Sequence, residues 1–167
     1  MIFITKDTYK EIVNFIKMKK SRVYILKMTN KVLTLLVYFL YPLLLLLLIY
    51  QRDIRFWRVL LVPLVSFILV SIFRRKFNAS RPYEVLDIVP VLDKNTSGKS
   101  FPSRHVFSVF VISMAFHYIC PLMGIGLMIV GFLLAVVRVM GGVHYPKDVI
   151  AGAVLGILSG LVGFYFV

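Results

Sequence analysis

Carboxylates are scarce in this chain: among 167 residues, seven Asp and Glu face twenty Lys and Arg, a formal net charge of +13. Cysteine is nearly absent. With Cys120 alone, no disulfide can close within the chain and a Cys-rich metal site is excluded. Three histidines, His105, His117 and His144, leave few groups for polar chemistry. Apolar residues fill the rest, at 60% hydrophobic, 16% charged and a mean hydropathy of +0.90. Soluble domains sit near roughly 45–50% apolar with about a quarter charged, so a soluble domain is excluded. The cationic excess calls for nucleic acid, anionic lipid or a phosphorylated substrate. Nucleic-acid binding has no use for long uncharged apolar runs, which leaves lipid or phosphate.

A membrane helix needs roughly 20 mostly apolar residues. Val32 to Tyr50 supplies such a run without a charge, and a second covers about Phe56 to Phe73, with Arg58 near enough to its start to snorkel. A third begins near Pro102 and stops at Cys120, because Pro121 forces a break; a fourth follows from Leu122 to Val137. The last runs from about Pro146 to Val167. The fold predicted is an all-α, multi-pass membrane bundle of about five spans. No Asp, Glu, Lys or Arg lies in the middle of a span, which argues against an ion or proton path across the bilayer.

Residues 1–31 form a separate unit from the membrane domain at 32–167. Eight cations, from Lys6 to Lys31, interrupt Ile12, Val13, Phe15, Ile16, Val23, Ile25 and Leu26, so no apolar run is long enough to span. This pattern predicts a basic amphipathic helix lying on anionic headgroups, with a soluble partner-binding arm as the alternative. Nothing before residue 32 resembles a cleavable signal. Counting crossings puts residues 1–31, 74–101 and 138–148 on one face, with 17 Lys and Arg (Arg104 included) against Arg52, Arg55 and Arg58 opposite. The positive-inside rule makes that face cytoplasmic.

Three stretches far apart in sequence therefore share one membrane edge: Arg74 to Pro82, Pro102 to His105, and Arg138 to Asp148. Guanidinium forks hold phosphate oxygens in bidentate fashion, and a helix starting after Pro102-Ser103 would add backbone donors from Arg104 and His105. His144 precedes Asp148 by four residues, so the carboxylate can fix the ring tautomer and free the other nitrogen to attack phosphorus. His105 is then the candidate general acid. Gly141-Gly142 lets the backbone turn tightly beside the phosphate. His117, roughly 18 Å further along the same helix, belongs to the other leaflet and should be inert. Taken singly, Arg75 and Lys76 read as headgroup anchors, and Asp148 as a helix cap.

The three stretches resemble the motifs of the type 2 phosphatidic acid phosphatase family, which shares its site with the vanadium haloperoxidases. They stand as Arg74-RKFNAS-Arg81-Pro82, Pro102-Ser103-Arg104-His105 and Val137-Arg138-VMGGV-His144-YPK-Asp148. Arg74 replaces the family's Lys, Arg104 a Gly, and Val137 a Ser. The resemblance implies a phosphohistidine at His144, oriented by Asp148, with His105 protonating the departing group and later activating water. Arg74, Arg81, Ser103, Arg104 and Arg138 would hold the phosphate. No metal or other cofactor is implied.

The resemblance and the apolar spans together predict a plasma-membrane lipid phosphatase acting on a polyprenyl diphosphate or phosphatidylglycerol-phosphate type of lipid. Arg104 favours a diphosphate. The rival is a non-catalytic lipid-phosphate binder or flippase component. Bacterial members of the family usually face outward, against the charge count. Gly152, Gly156 and Gly160 allow close helix contact, either within the bundle or in a homodimer.

Overall fold

A computed structural model describes residues 6–86, 88–94 and 96–166, and its regular structure is all helical. In order these are α1 (Lys6–Lys17), α2 (Lys20–Tyr50), α3 (Phe56–Phe77), α4 (Pro82–Val85), α5 (Arg104–Ile119), α6 (Pro121–Met140) and α7 (Pro146–Leu161), which a π turn (Val162–Phe166) prolongs. Among the described residues α2, α3, α6 and prolonged α7 are long and apolar enough to cross a bilayer. The third expected span is shorter: α5 has 16 residues, about 24 Å of helix. It begins after Ser103 and stops where Cys120, ahead of Pro121, turns extended at φ −144°. Pro121 then opens α6, where its missing N–H costs nothing.

Helix α5 is the core. Val106, Phe107 and every residue from Val109 to Phe116 are buried, as expected of a helix apolar on all sides. Its neighbours α6 and α7 shield it from lipid, which relaxes the length a lipid-facing helix must have. The close contact with α7 is made by the small residues. A Cβ at Gly152 would stand 2.7 Å from the Ser103 carbonyl, at Gly156 2.8 Å from that of Phe107, and at Gly160 it would collide with Met114 Cβ. The homodimer alternative is thereby corrected: α5 covers this glycine face within the chain. Gly152→Ala is expected to lower stability by about 1–3 kcal/mol in detergent melts, because the obstacle is backbone. Gly126, where a methyl group would meet nothing within 4 Å, supplies the control. Gly126→Ala should be neutral or stabilising by up to about 1 kcal/mol.

The N-terminal arm departs from expectation in two ways. Helix α2 begins at Lys20, so residues 20–31 continue the first span as helix. Helix α1 is amphipathic, but its apolar side meets protein: Tyr9, Val13 and Ile16 are buried against Leu86, Val91, Leu92, Val137 and Val143. Leu86, Val91 and Leu92, from an apolar stretch bounded in the sequence by Asp87 and Asp93, are the other half of that contact. Each stripe is too short to be buried alone, and together they cover one another. The bounding Asp87 lies outside the described residues. Lys27 closes the edge on Asp93 at 2.8 Å.

Candidate active site

The three motif stretches meet at one end of the bundle, around a cavity of about 270 Å³. Arg74, Arg81, Arg104, His105 and His144 line it, joined by Arg75, Lys94 and Lys99. Among the described residues, six cations and two imidazoles thus share a wall without a carboxylate. His117 lies at the far end of α5, against the Tyr165 hydroxyl at 2.9 Å.

Each cation is held by local structure. Arg74 closes α3, which terminates at Asn78 in the left-handed conformation (φ 43°). It is buried, with one guanidinium nitrogen on the Lys99 carbonyl and Nη1 without a partner. Arg81 precedes α4 and donates to the carbonyls of Gly98 (2.9 Å), Val143 (3.1 Å) and Lys99 (3.4 Å). Five N–H donors serve three carbonyls, so donors remain for an anion. Burial draws its guanidinium below the ordinary value. Glu84 secures this loop by accepting from the Arg81 amide (2.6 Å), the Ser97 hydroxyl (2.6 Å) and the Gly98 amide (2.9 Å). Gly98 has φ +60°, and a Cβ there would collide with Asn78 Oδ1. Burial, then the surrounding guanidiniums, holds the Lys94 ammonium down to about 8. An anion would relieve that repulsion.

His144 sits in the turn between α6 and α7, and Asp148 in the first turn of α7. Both are buried. Asp148 Oδ2 accepts from the Tyr145 amide at 3.0 Å, so the cap and the candidate orienter are one residue. It also accepts from the Ser100 hydroxyl at 2.5 Å. His144 Nδ1 lies 3.6 Å from the same oxygen and 3.5 Å from Ser100 Oγ. That is too long for a hydrogen bond and short enough to become one by a small rotation. Burial lowers the His144 pKa to about 4, against the raising effect of Asp148. The ring is neutral at physiological pH. Behind it, the Tyr9 hydroxyl donates between the carbonyls of His144 (3.0 Å) and Val139 (3.1 Å), which ties α1 to this turn.

The other residues that the sequence singles out are placed around this cavity in different ways. Ser103 and Arg138, predicted to hold phosphate, do not line this cavity. Ser103 is fully buried with Oγ unpartnered, and its amide bonds the Asp148 carbonyl at 2.8 Å. Arg138 lines an adjoining cavity on the α2 side. The Gly141-Gly142 turn faces away from the cavity: Gly142, at φ +79°, packs beneath Pro90, and Gly141 accepts from the Val91 amide at 3.0 Å. Arg75 is a lining residue as well as a residue at a span's end. Ser100, Glu84, Lys94, Lys99 and Tyr9 carry no motif signal, since only the path of the loops brings them here. Among the described residues no three His, Cys, Asp or Glu gather where a metal could bind.

The sequence profile of the PAP2 superfamily matches residues 55–167, which hold all three motifs. The chain belongs to that superfamily. Relatives include the bacitracin transport permease protein BcrC of Bacillus licheniformis, 35% identical over 85 residues, 51% of this chain and 42% of that protein. Undecaprenyl-diphosphatase BcrC of Bacillus subtilis is 35% identical over 86 residues, 52% and 44% of the two chains. The match thus spans less than half the length of these curated relatives. Among solved structures, Aquifex aeolicus LpxE superposes with a TM-score of 0.75 at 25% identity, covering 97% of this chain and 95% of that one. The transmembrane PAP2 type phosphatidylglycerolphosphate phosphatase of Bacillus subtilis gives 0.72 at 22%, covering 96% and 85%. This PAP2 chain is a multi-pass membrane protein, and the superposition with LpxE takes in α1 and α2, which the family match does not reach.

Proposed function

We propose that this chain is an integral membrane lipid phosphatase working through a phosphohistidine on His144. The observation that carries this is the cavity wall: among the described residues, six cations and two imidazoles without a carboxylate, at one end of a lipid-facing bundle. Neutral His144 attacks phosphorus through Nε2, while Nδ1–H turns to Asp148. The N–P bond forms as the bond to the departing oxygen breaks, and His105 gives that oxygen its proton. His105 then takes a proton from water, whose oxygen bonds to phosphorus as the N–P bond breaks, so that inorganic phosphate leaves and Nε2 of His144 is free again. Arg74, Arg81 and Arg104 face the equatorial oxygens, where charge is spread in the transition state. Ser103 and Arg138 support the phosphate from behind and beside the cavity.

The lipid tail stays in the bilayer and the phosphate reaches the cavity, which excludes no headgroup that is small and anionic. The basic exposed side of α1, with Lys6 and Lys17, suits anionic headgroups at that edge. In the plasma membrane two arguments oppose each other over the side. Charge bias favours the cytoplasm; yet six of those cations line the cavity and serve anion binding, and bacterial members of the family usually face outward. With Cys120→Ser as background, Thr96→Cys labelled by an impermeant maleimide in intact cells would put the site outside; labelling only after lysis would put it inside. For activity, purified protein is assayed for phosphate released from polyprenyl diphosphate, phosphatidylglycerol phosphate and a soluble sugar phosphate. Release from the lipids is expected, and preference for the sugar phosphate would refute the proposal.

A further inference from the structure

The His144 ring is not yet fixed by its own contacts, since Nδ1 lies 3.6 Å from Asp148 Oδ2 and 3.5 Å from Ser100 Oγ. Its aim is inherited from the backbone of the turn that carries it. Three carbonyls of that turn are each held by a different segment. Gly141 accepts from the Val91 and Leu92 amides (3.0 and 3.2 Å), Val143 from Arg81 Nη1 (3.1 Å), and His144 from the Tyr9 hydroxyl (3.0 Å). The first two segments belong to the part of the chain that matches the family; Tyr9, on α1, does not. Its hydroxyl is shared with the Val139 carbonyl at 3.1 Å, so one donor joins the last turn of α6 to the residue that bears the nucleophile. The contact is closed to water: Tyr9 is 2% exposed, Val143 is fully buried, and Val13, one turn further along α1, stands beside Gly142. Burial also raises the Tyr9 phenol above its ordinary value, which keeps it a donor.

The peptide group between His144 and Tyr145 is thus gripped at both ends. Tyr9 holds its carbonyl, and Asp148 Oδ2 accepts from its amide, the Tyr145 N–H, at 3.0 Å. That same Oδ2 is the oxygen onto which Nδ1 of His144 turns. Resting on the phosphatase reading above, we propose that Tyr9 is a positioning residue for the nucleophile: by holding the His144 carbonyl it keeps this peptide, the imidazole and Asp148 in register, so that α1 completes the active site from outside the three motifs. Tyr9 touches neither substrate nor reacting atoms. Removing its hydroxyl leaves the His144 carbonyl buried without that donor, and rotation of the peptide to find another partner draws the Tyr145 amide off Oδ2. Nucleophile and orienter then part together. Misplacing a reacting group by about 1 Å can cost on the order of 10²-fold in rate.

The test is made on the full chain, purified in detergent, with whichever of phosphatidylglycerol phosphate and polyprenyl diphosphate the wild type cleaves faster. Single turnovers are followed at saturating enzyme, where the first-order rate constant does not depend on the fraction of enzyme that is folded. Tyr9→Phe is expected to lower that constant about ten-fold, with the enzyme concentration for half-saturation within about two-fold. Val13→Ala thins the packing of the same helix and keeps the hydroxyl; it should lower the melting temperature while the rate constant stays within about two-fold. Tyr9→4-aminophenylalanine, which puts an N–H donor in the phenol's place, should return the rate. A Tyr9→Phe rate constant close to that of wild type, an equal loss in Val13→Ala, or no recovery with the amino analogue would each overturn the positioning role. A wild type that releases phosphate from neither lipid would overturn the phosphatase reading, and this role with it.

Discussion

Replacing His144 by Gln is expected to lower phosphate release by on the order of a thousand-fold or more, since His144 is the lining imidazole that has a carboxylate, Asp148, beside its Nδ1. The loss should be in kcat. The amide keeps the side chain's size and some polarity, and the cations that bind the anion are untouched. A radiolabelled lipid phosphate mixed with wild type and quenched in alkali should leave acid-labile label on the protein, and none on His144→Gln. His105→Gln gives the complementary result: the phosphoenzyme forms slowly and persists, because the base that activates water is gone. A lipid-phosphate binder that performs no chemistry would show no label in wild type and no change in either variant. Labelled protein that survives His144→Gln would move the nucleophile elsewhere and end the proposed mechanism.

Asp148→Asn is expected to cost about 10²- to 10⁴-fold, as removing the carboxylate that fixes a catalytic imidazole generally does. The carboxamide can hold His144 in the wrong tautomer, with Nε2 protonated and unable to attack. Ser100→Ala should act in the same direction but less, about ten-fold. Without that hydroxyl, Oδ2 keeps only the Tyr145 amide and loses the 2.5 Å bond that aims it. The pH profile separates orientation from simple loss of packing. His144 reacts when neutral, and burial sets its pKa at about 4. Activity is therefore present above that value and lost as pH falls through it, so the acid limb of kcat/KM lies well below the ordinary imidazole range. Asp148 raises this pKa, and its removal moves the limb lower still, never upward. A limb near 6.5 in wild type, or an upward move in Asp148→Asn, would contradict the assignment of His144 as a buried neutral nucleophile.

Much of the architecture is legible in the residues alone, because the features concerned are local. Uninterrupted apolar runs of about 20 residues fix helices against lipid whatever else the chain does. Crossing parity then places Arg74, Arg81, His105, His144 and Asp148 at one edge. Pro82, Pro102, Pro121 and Pro146 mark helix starts through a fixed φ and a missing donor, and α4, α5, α6 and α7 begin at or just beyond them. Motif spacing named the two imidazoles and the carboxylate. The glycine spacing on α7 announced close contact, though not with what; the buried face of α5 decided that.

Tertiary structure decided everything that depends on the path of the loops. An amphipathic helix reads alike whether lipid or protein covers its apolar side, and only the complementary stripe of Leu86, Val91 and Leu92 turned α1 inward. Ser100 differs from Ser97 in nothing the sequence records; its standing comes from a bond across 48 positions. The same holds for Lys94, and for the placement of Arg138 on the α2 side of His105. The sequence determined which groups reach the membrane edge, because helix length and crossing count are one-dimensional quantities. Which of those groups share a cavity is set by how three loops and two helices close on one another, and that closure is a property of the packed chain alone.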